Sequence, residues 1–378
     1  MQRLEHPLLS PSIGSQKTLV SFRFGDPQAR PKVYIQASLH AEELPGMLVA
    51  HHLRPLLEQA EREGRLQGHV VLVPAANPIG LAQRLDHKAM GRFELDTAQN
   101  FNRHYPDLAG AVFDAVRDRL TPDAAANVAL VRAAVADWLA RWQPPTELES
   151  LRRELLLMAH DADVVLDLHC DWQAVLHLYA EEACWPPLEP LARLLGCRAV
   201  LLARNSGGGP FDECLSGLWW QLAERLQAAG VTHPLPQACA STTLELRGEA
   251  DVLHVHAMHD AGALMDFLAH AGVLSGAPPA LPAPACAATP LAGSQTLHAP
   301  VPGVLVLHAN VGDTLAVGDL VAEVIDPTAP GASRVHRVEA GVAGVLYATI
   351  AGRYVVAGGE IGKIAGAHPF RTGDLLGA

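Results

Sequence analysis

Short apolar runs that alternate with stretches of helical periodicity restrict this chain more than any other feature. Lys32–Ala37, His69–Ala75 and Val164–Leu168 are apolar almost throughout rather than every second residue, the pattern of strands covered on both faces. Between and after them apolar residues recur at helical spacing. Leu44, Met47, Leu48, Leu53, Leu56 and Leu57 mark one helix, residues 109–160 give two or three more, and others are expected from Asp212 to Ala229 and from about Val252 to Ala271. Strands are also expected within Thr18–Phe24 and at Val175–Tyr179, Ala199–Leu202 and Thr242–Leu246. This alternation predicts an α/β fold with a mixed, mostly parallel sheet flanked by helices.

A chain of 378 residues exceeds the roughly 250–300 residues that one core usually serves. The division is expected at Gly276-Ala-Pro-Pro-Ala-Leu-Pro-Ala-Pro-Ala, which has the composition of an extended linker. The reading is therefore a first domain over 1–275, a linker over 276–291 and a small β-barrel-like domain over 292–378. In the last, short Val/Leu/Ile strands are punctuated by turns such as Val311-Gly312-Asp313 and Val317-Gly318-Asp319. These turns resemble those of lipoyl and biotinyl carrier barrels. Lys363, the lysine of that region, sits in Glu360-Ile-Gly-Lys-Ile364 rather than at a hairpin tip, so a non-carrier barrel is expected.

Net charge of −12 and a pI near 5.8 argue against nucleic acid or an anionic membrane surface as partner. No run reaches the ~18 apolar residues of a membrane span, and the first residues lack a basic-then-apolar leader pattern. Six cysteines contain no Cys-x-x-Cys pair, so neither a disulfide framework nor a thiolate metal site is expected. A reduced, cytoplasmic setting follows as the expectation.

Chemistry concentrates where strands end. In α/β sheets ligands gather at the carboxyl ends of strands, and His40 with Glu43, His169 and Glu245 occupy such positions. His-x-x-Glu alone is weak, since His336 and Glu339 repeat it. Two imidazoles and a carboxylate leave a fourth tetrahedral position for water, the ligand set of catalytic zinc, so one Zn2+ per chain is expected on His40, Glu43 and His169. Asp167, on the same strand face as His169, is a candidate to accept its other N–H. Glu245, a carboxylate at an apolar strand end, is the candidate general base. The loop Leu81–Asp107 lacks periodicity and is rich in Arg, Asn, Asp and His, as functional loops are. Within it, Asn102 and Arg103 suit a substrate carboxylate and Arg84 a developing oxyanion.

His40-x-x-Glu43, Asn77-Pro78, Asn102-Arg103, Asp167-x-His169 and Glu245, in this order over about residues 30–250, resemble the zinc carboxypeptidase superfamily. Within it the pattern is most similar to the succinylglutamate desuccinylase/aspartoacylase family. That resemblance implies zinc on His40, Glu43 and His169, Glu245 as general base, Arg84 polarising the scissile carbonyl, and Asn102 with Arg103 on the substrate carboxylate. It implies a deacylase acting on a small, anionic amide such as an N-acyl amino acid. A metallocarboxypeptidase for short peptides and a non-catalytic small-molecule binding protein are the alternatives.

The family's Asp-Leu-Asn-Arg stands here as Asn100-Phe101-Asn102-Arg103, so acyl specificity is not carried over. Its substrate-binding Tyr has two candidates, Tyr105 and Tyr179. Gly207–Gly209 reads either as a mobile loop over the site or as a plain connection. The β domain is expected to shape the site mouth or to build an interface, which leaves a homo-oligomer open.

Overall fold

Nine strands form the central sheet in the order Gln2–Pro7, Thr18–Phe24, His69–Val73, Lys32–Ala37, Val164–Asp171, Ala240–Gly248, His177–Glu181, Ala199–Ala203 and Ala288–Pro290. The computed structural model describes residues 1–376, so residues 377 and 378 of the expected range 292–378 lie outside the described residues. The middle strands, from His69–Val73 to Ala240–Gly248, run parallel. His177–Glu181 reverses against Ala240–Gly248, while the two strands beyond it are again mutually parallel. The sheet is mixed and mostly parallel, as the alternating pattern requires.

Lys32–Ala37 explains why its run is apolar throughout. Val33, Ile35 and Ala37 enter the core on one face, and Tyr34 enters the core on the other. Helices Pro45–Arg62, Trp185–Leu195 and His254–His270 cover the first face. Leu108–Val116, Ala124–Arg141, Glu147–Ala159 and Phe211–Ala228 cover the second. Burying each Leu or Val on these faces contributes about 1.5–3 kcal/mol. Truncating Leu168, fully buried, to Ala would cost about 2–5 kcal/mol.

Residues 294–366 form two antiparallel sheets around a separate apolar core that includes Leu297, Leu305, Val321, Val324, Leu346 and Ile361. Two features join this region to the central sheet. Ala288–Pro290, within the stretch read as linker, adds a parallel edge strand to Ala199–Ala203, a position where Pro is tolerated. Gln173–Ala174, just past the strand that carries His169, pairs with Ala348 and Thr349.

Candidate metal centre and active site

The strand Lys32–Ala37 ends because Ser38 turns into the left-handed region at φ +58°. Ser38 Oγ donates to Glu43 O at 2.8 Å, and Glu43 N–H donates to His40 O at 3.1 Å, closing a tight turn. The helix starts only at Pro45, so Glu43 lies in the turn before it. Gly46 lets the helix approach: a Cβ there would stand 3.0 Å from both Ala37 Cβ and Leu168 Cβ. Ala37 pairs with Leu168 in the parallel ladder, so the residue after Leu168 meets the residues of this turn. Glu245 is the ladder partner of His169 on the next strand. Three adjacent strand ends thus deliver His40 with Glu43, His169 and Glu245 to one place.

Both imidazoles turn Nδ1 to Glu43. His40 Nδ1 lies 2.9 Å from Oε1 and His169 Nδ1 lies 2.8 Å from Oε2, with all three side chains buried. Their outer nitrogens each face an oxygen acceptor. Asn100 Oδ1 accepts the backbone N–H of Asn102 at 2.8 Å, which fixes it as the amide oxygen, and it lies 2.8 Å from His40 Nε2. His40 must therefore carry its proton on Nε2, leaving the Nδ1 lone pair facing a carboxylate oxygen. Two acceptors at that distance call for a cation near them; Arg92 Nη1 approaches both, 3.4 Å from His40 Nδ1 and 3.3 Å from Glu43 Oε1, and a metal ion would fill the same need more directly. Asp167 Oδ2 lies 3.0 Å from His169 Nε2, out of line for a hydrogen bond, while its Oδ1 is held by Gln36 Nε2 at 2.9 Å. Carboxylate or carbonyl partners on the outer nitrogens are what metal-ligating histidines commonly have. Ligand atoms of His40, Glu43 and His169 all lie within 4.8 Å of one another, so the set fits a metal ion.

The charges agree. Burial and the Arg92 guanidinium push His40 down to about 4, which keeps it neutral. Burial opposes ionisation of Glu43, yet the two imidazoles hold it well below the usual carboxylate range. Burial also disfavours the charged form of His169, but Asp167 and Glu43 outweigh it and raise its pKa. A metal would displace that His169 proton.

A cavity of about 300 Å³ opens from these groups and is lined by Glu245, Asn102, Arg103, Arg92, Asp212 and Thr243 among others. Glu245 Oε2 is buried without a hydrogen-bond partner. Burial, then the charge of Glu43, pushes this carboxyl up to about 8. Asn102 docks the helix that begins at Phe211, accepting its N–H on Oδ1 at 2.9 Å, and leaves Nδ2 3.5 Å from His169 Nε2. Arg103 donates from Nη1 to Asn102 O at 2.8 Å. Its side-chain carbons pack so closely on Gly208 that a Cβ there would stand 2.7 Å from Arg103 Cδ.

Residues 29–129 match the family model described as the succinylglutamate desuccinylase/aspartoacylase catalytic domain. A structure of a succinylglutamate desuccinylase/aspartoacylase family protein from Shewanella amazonensis is 30% identical, with a TM-score of 0.84, over 97% of this chain and 98% of that one. The chain belongs to the succinylglutamate desuccinylase/aspartoacylase family. A second such protein, from Shewanella frigidimarina, is 27% identical with a TM-score of 0.82, over 97% of both chains. The ectoine utilization protein EutE from Ruegeria pomeroyi, at 17% identity and a TM-score of 0.62 over 96% of this chain and 93% of that one, shares the fold. None of the curated proteins matches. The family is one of hydrolases with a zinc carboxypeptidase-like fold.

Against the family pattern, one expected residue is out of place. Arg84 stands on an exposed two-residue strand, donates to Leu81 O and Gln83 O at 2.9 Å, and does not line the cavity. Arg92 does line it, with Nη1 3.3 Å from Glu43 Oε1 and 3.4 Å from His40 Nδ1. The reason is Gly91. It donates to the Glu42 carboxylate, accepts Ala41 N–H at 2.9 Å, and sits so close that a Cβ would meet Glu42 N at 2.5 Å. Gly91 meets the His-x-x-Glu turn only in the fold, 49 residues from Glu42 in sequence, so spacing carried no signal of it.

Tyr179 lines the cavity, whereas Tyr105 is buried and does not line it, and Tyr347 from the C-terminal sheets lines it too. His336 and Glu339 fall on a strand, Val335–Glu339, where residues three apart point to opposite faces. Among the described residues, no group other than His40, Glu43 and His169 has the makings of a metal site.

Proposed function

We propose that this protein is a zinc-dependent hydrolase that cleaves the amide bond of an N-acyl amino acid or a similar small, carboxylate-bearing amide. The observation that carries the reading is the paired Nδ1–Glu43 contact, with His40 locked in the tautomer that presents a lone pair. Zinc held by His40, Glu43 and His169 would supply Lewis-acid charge and acidify water near neutral pH. The rest is the work of side chains. Glu245, which lines the cavity and whose Oε2 has no hydrogen-bond partner, takes the proton of the attacking water and returns it to the leaving amine. Arg92 presents N–H donors and positive charge where the carbonyl oxygen becomes an oxyanion. Asn102 Nδ2 and the Arg103 guanidinium hold the substrate carboxylate and fix which amide is presented.

Family membership, a hydrolase fold and a cavity that mixes cations with an unpartnered carboxylate all support this. The test is a panel of N-acyl amino acids and dipeptides assayed with zinc-loaded protein, alongside metal analysis. Hydrolysis of N-acyl amino acids with one zinc per chain is expected. Full activity in metal-stripped protein, or activity confined to dipeptides, would refute the reading.

A further inference from the structure

The segment Arg371–Leu376 brings Arg371, Leu375 and Leu376 to the cavity lining and is tied down on both sides. Phe370 and Arg371 N–H donate to Ala292 O at 3.0 and 3.1 Å, and Leu375 N–H donates to Ser206 O at 2.8 Å. Ser206 opens a turn of three left-handed glycines, Gly207, Gly208 and Gly209, at φ +93°, +72° and +59°. A Cβ on Gly208 would stand 2.7 Å from Arg103 Cδ, and one on Gly207 would stand 2.3 Å from Asp374 Oδ1. One turn therefore touches the carboxylate grip on one side and this segment on the other. Leu375 and Leu376 pack with Leu201, Ala203, Leu291 and Tyr347, and all six line the cavity.

We propose, resting on the deacylase reading above, that Arg371–Leu376 is a specificity wall that selects an apolar side chain on the amino acid whose carboxylate Arg103 holds. The side chain leaves the same carbon as the carboxylate, so it must lie near the grip, where the wall stands. The cations nearby do not make a pocket for an acidic side chain. Lys363 is matched by Asp171 at 2.8 Å and Glu360 at 3.3 Å. Arg371 is the rival: it donates from Nη2 to Leu291 O at 3.2 Å, but its Nε–H has no partner.

The experiment uses the zinc-loaded full chain and measures binding of free L-leucine, L-phenylalanine, L-aspartate and L-glutamate by calorimetry, with hydrolysis of their N-acetyl derivatives measured in parallel. Leucine and phenylalanine should bind more tightly than the acidic pair. Replacing Leu375 and Leu376 together by Ala should weaken leucine binding by roughly tenfold or more, the discrimination typical of lost methylenes in an apolar pocket, while zinc is retained. Leu376→Ala alone serves if the double variant fails to fold. Two results overturn the wall: tighter aspartate binding that Arg371→Leu abolishes, or leucine binding indifferent to both leucine variants. Leucine binding that depends on these residues, without hydrolysis of any N-acetyl amino acid, supports the wall and sinks the deacylase reading. Hydrolysis that favours the acidic derivatives does the reverse.

Discussion

Arg92→Ala, set beside Arg84→Ala, tests the point at which the loop's position in sequence and its position in space disagree. Arg92 Nη1 is 3.3 Å from the Glu43 carboxylate, and its side chain is 34% exposed. Removing one donor from an oxyanion site costs roughly 2.7–4 kcal/mol, or about 10²–10³ in rate. Partial exposure to water weakens each charge interaction, so the lower end applies, about a hundredfold in kcat/KM. Because the interaction strengthens as the oxyanion forms, kcat should fall more than KM rises. Arg92→Lys keeps the charge but loses the fork and should recover part of the loss. Arg84 bonds only to neighbouring main-chain carbonyls on an exposed strand, so Arg84→Ala should stay within about 0.5 kcal/mol of the parent. The assay is steady-state hydrolysis of the best N-acyl amino acid, with zinc content measured for each variant. Equal losses in the two alanine variants, or a normal Arg92→Ala enzyme, would falsify the assignment.

Glu245→Gln should retain zinc and lose about 10²–10⁴ in kcat; turnover at the parent rate would remove Glu245 as the base. His169→Ala should instead lose the metal, read as zinc per chain after dialysis, and stoichiometric zinc in that variant would exclude His169 as a ligand. Gly91→Ala forces a Cβ to within 2.5 Å of Glu42 N, so it should displace Arg92 and lower kcat/KM while zinc content holds; parent-like kinetics would mean the loop does not depend on that contact. In the metal-free protein two buried carboxyls should also contribute stability that falls as pH rises. Burial, with help from neighbouring carboxylates, pushes Glu181 up to about 7 and Glu213 up to about 8. Both folded values exceed the unfolded ones, so this stability is fully present below about pH 4 and is lost as pH climbs through roughly 7–8. Denaturant unfolding at about pH 5.5 and pH 8 should show the decline, and Glu213→Gln should flatten it; an unchanged slope in that variant would clear Glu213 of the effect.

His40, Glu43, His169 and Glu245 were legible because strand ends are local features. An apolar run stops, and the residues that follow must lie at the sheet's carboxyl edge. Glu245 rests on the same logic, being the ladder partner of His169. Arg84 and Arg92 share a loop without periodicity, and only a contact made 49 residues back in sequence, Gly91 to Glu42, decides which of them faces the cavity. Spacing cannot report such a contact. Glu42, outside the His-x-x-Glu spacing, thus has a place as the anchor of that loop. Tyr347 was out of reach for a similar reason: it enters the site only because strand Gly344–Thr349 pairs with residues some 170 positions earlier.

That pairing makes the C-terminal sheets part of the site rather than an appendage. Asp171 ends the strand that carries His169, and Lys363 Nζ reaches it across the junction at 2.8 Å. Burial alone would weaken the lysine's charge, but Asp171 and Glu360 more than restore it and raise its pKa. Ser294, at the start of the C-terminal sheets, sets Tyr347 against the cavity through a 2.8 Å hydroxyl contact. A strand end that must aim an imidazole cannot also be free to fray. Here the backbone beyond His169 is continued into the second sheet at Gln173 and Ala174, and its carboxylate is held by a lysine from that sheet. The proposed ligand set and the proposed cavity wall therefore share one set of contacts, and loosening the junction should disturb metal affinity and substrate binding together.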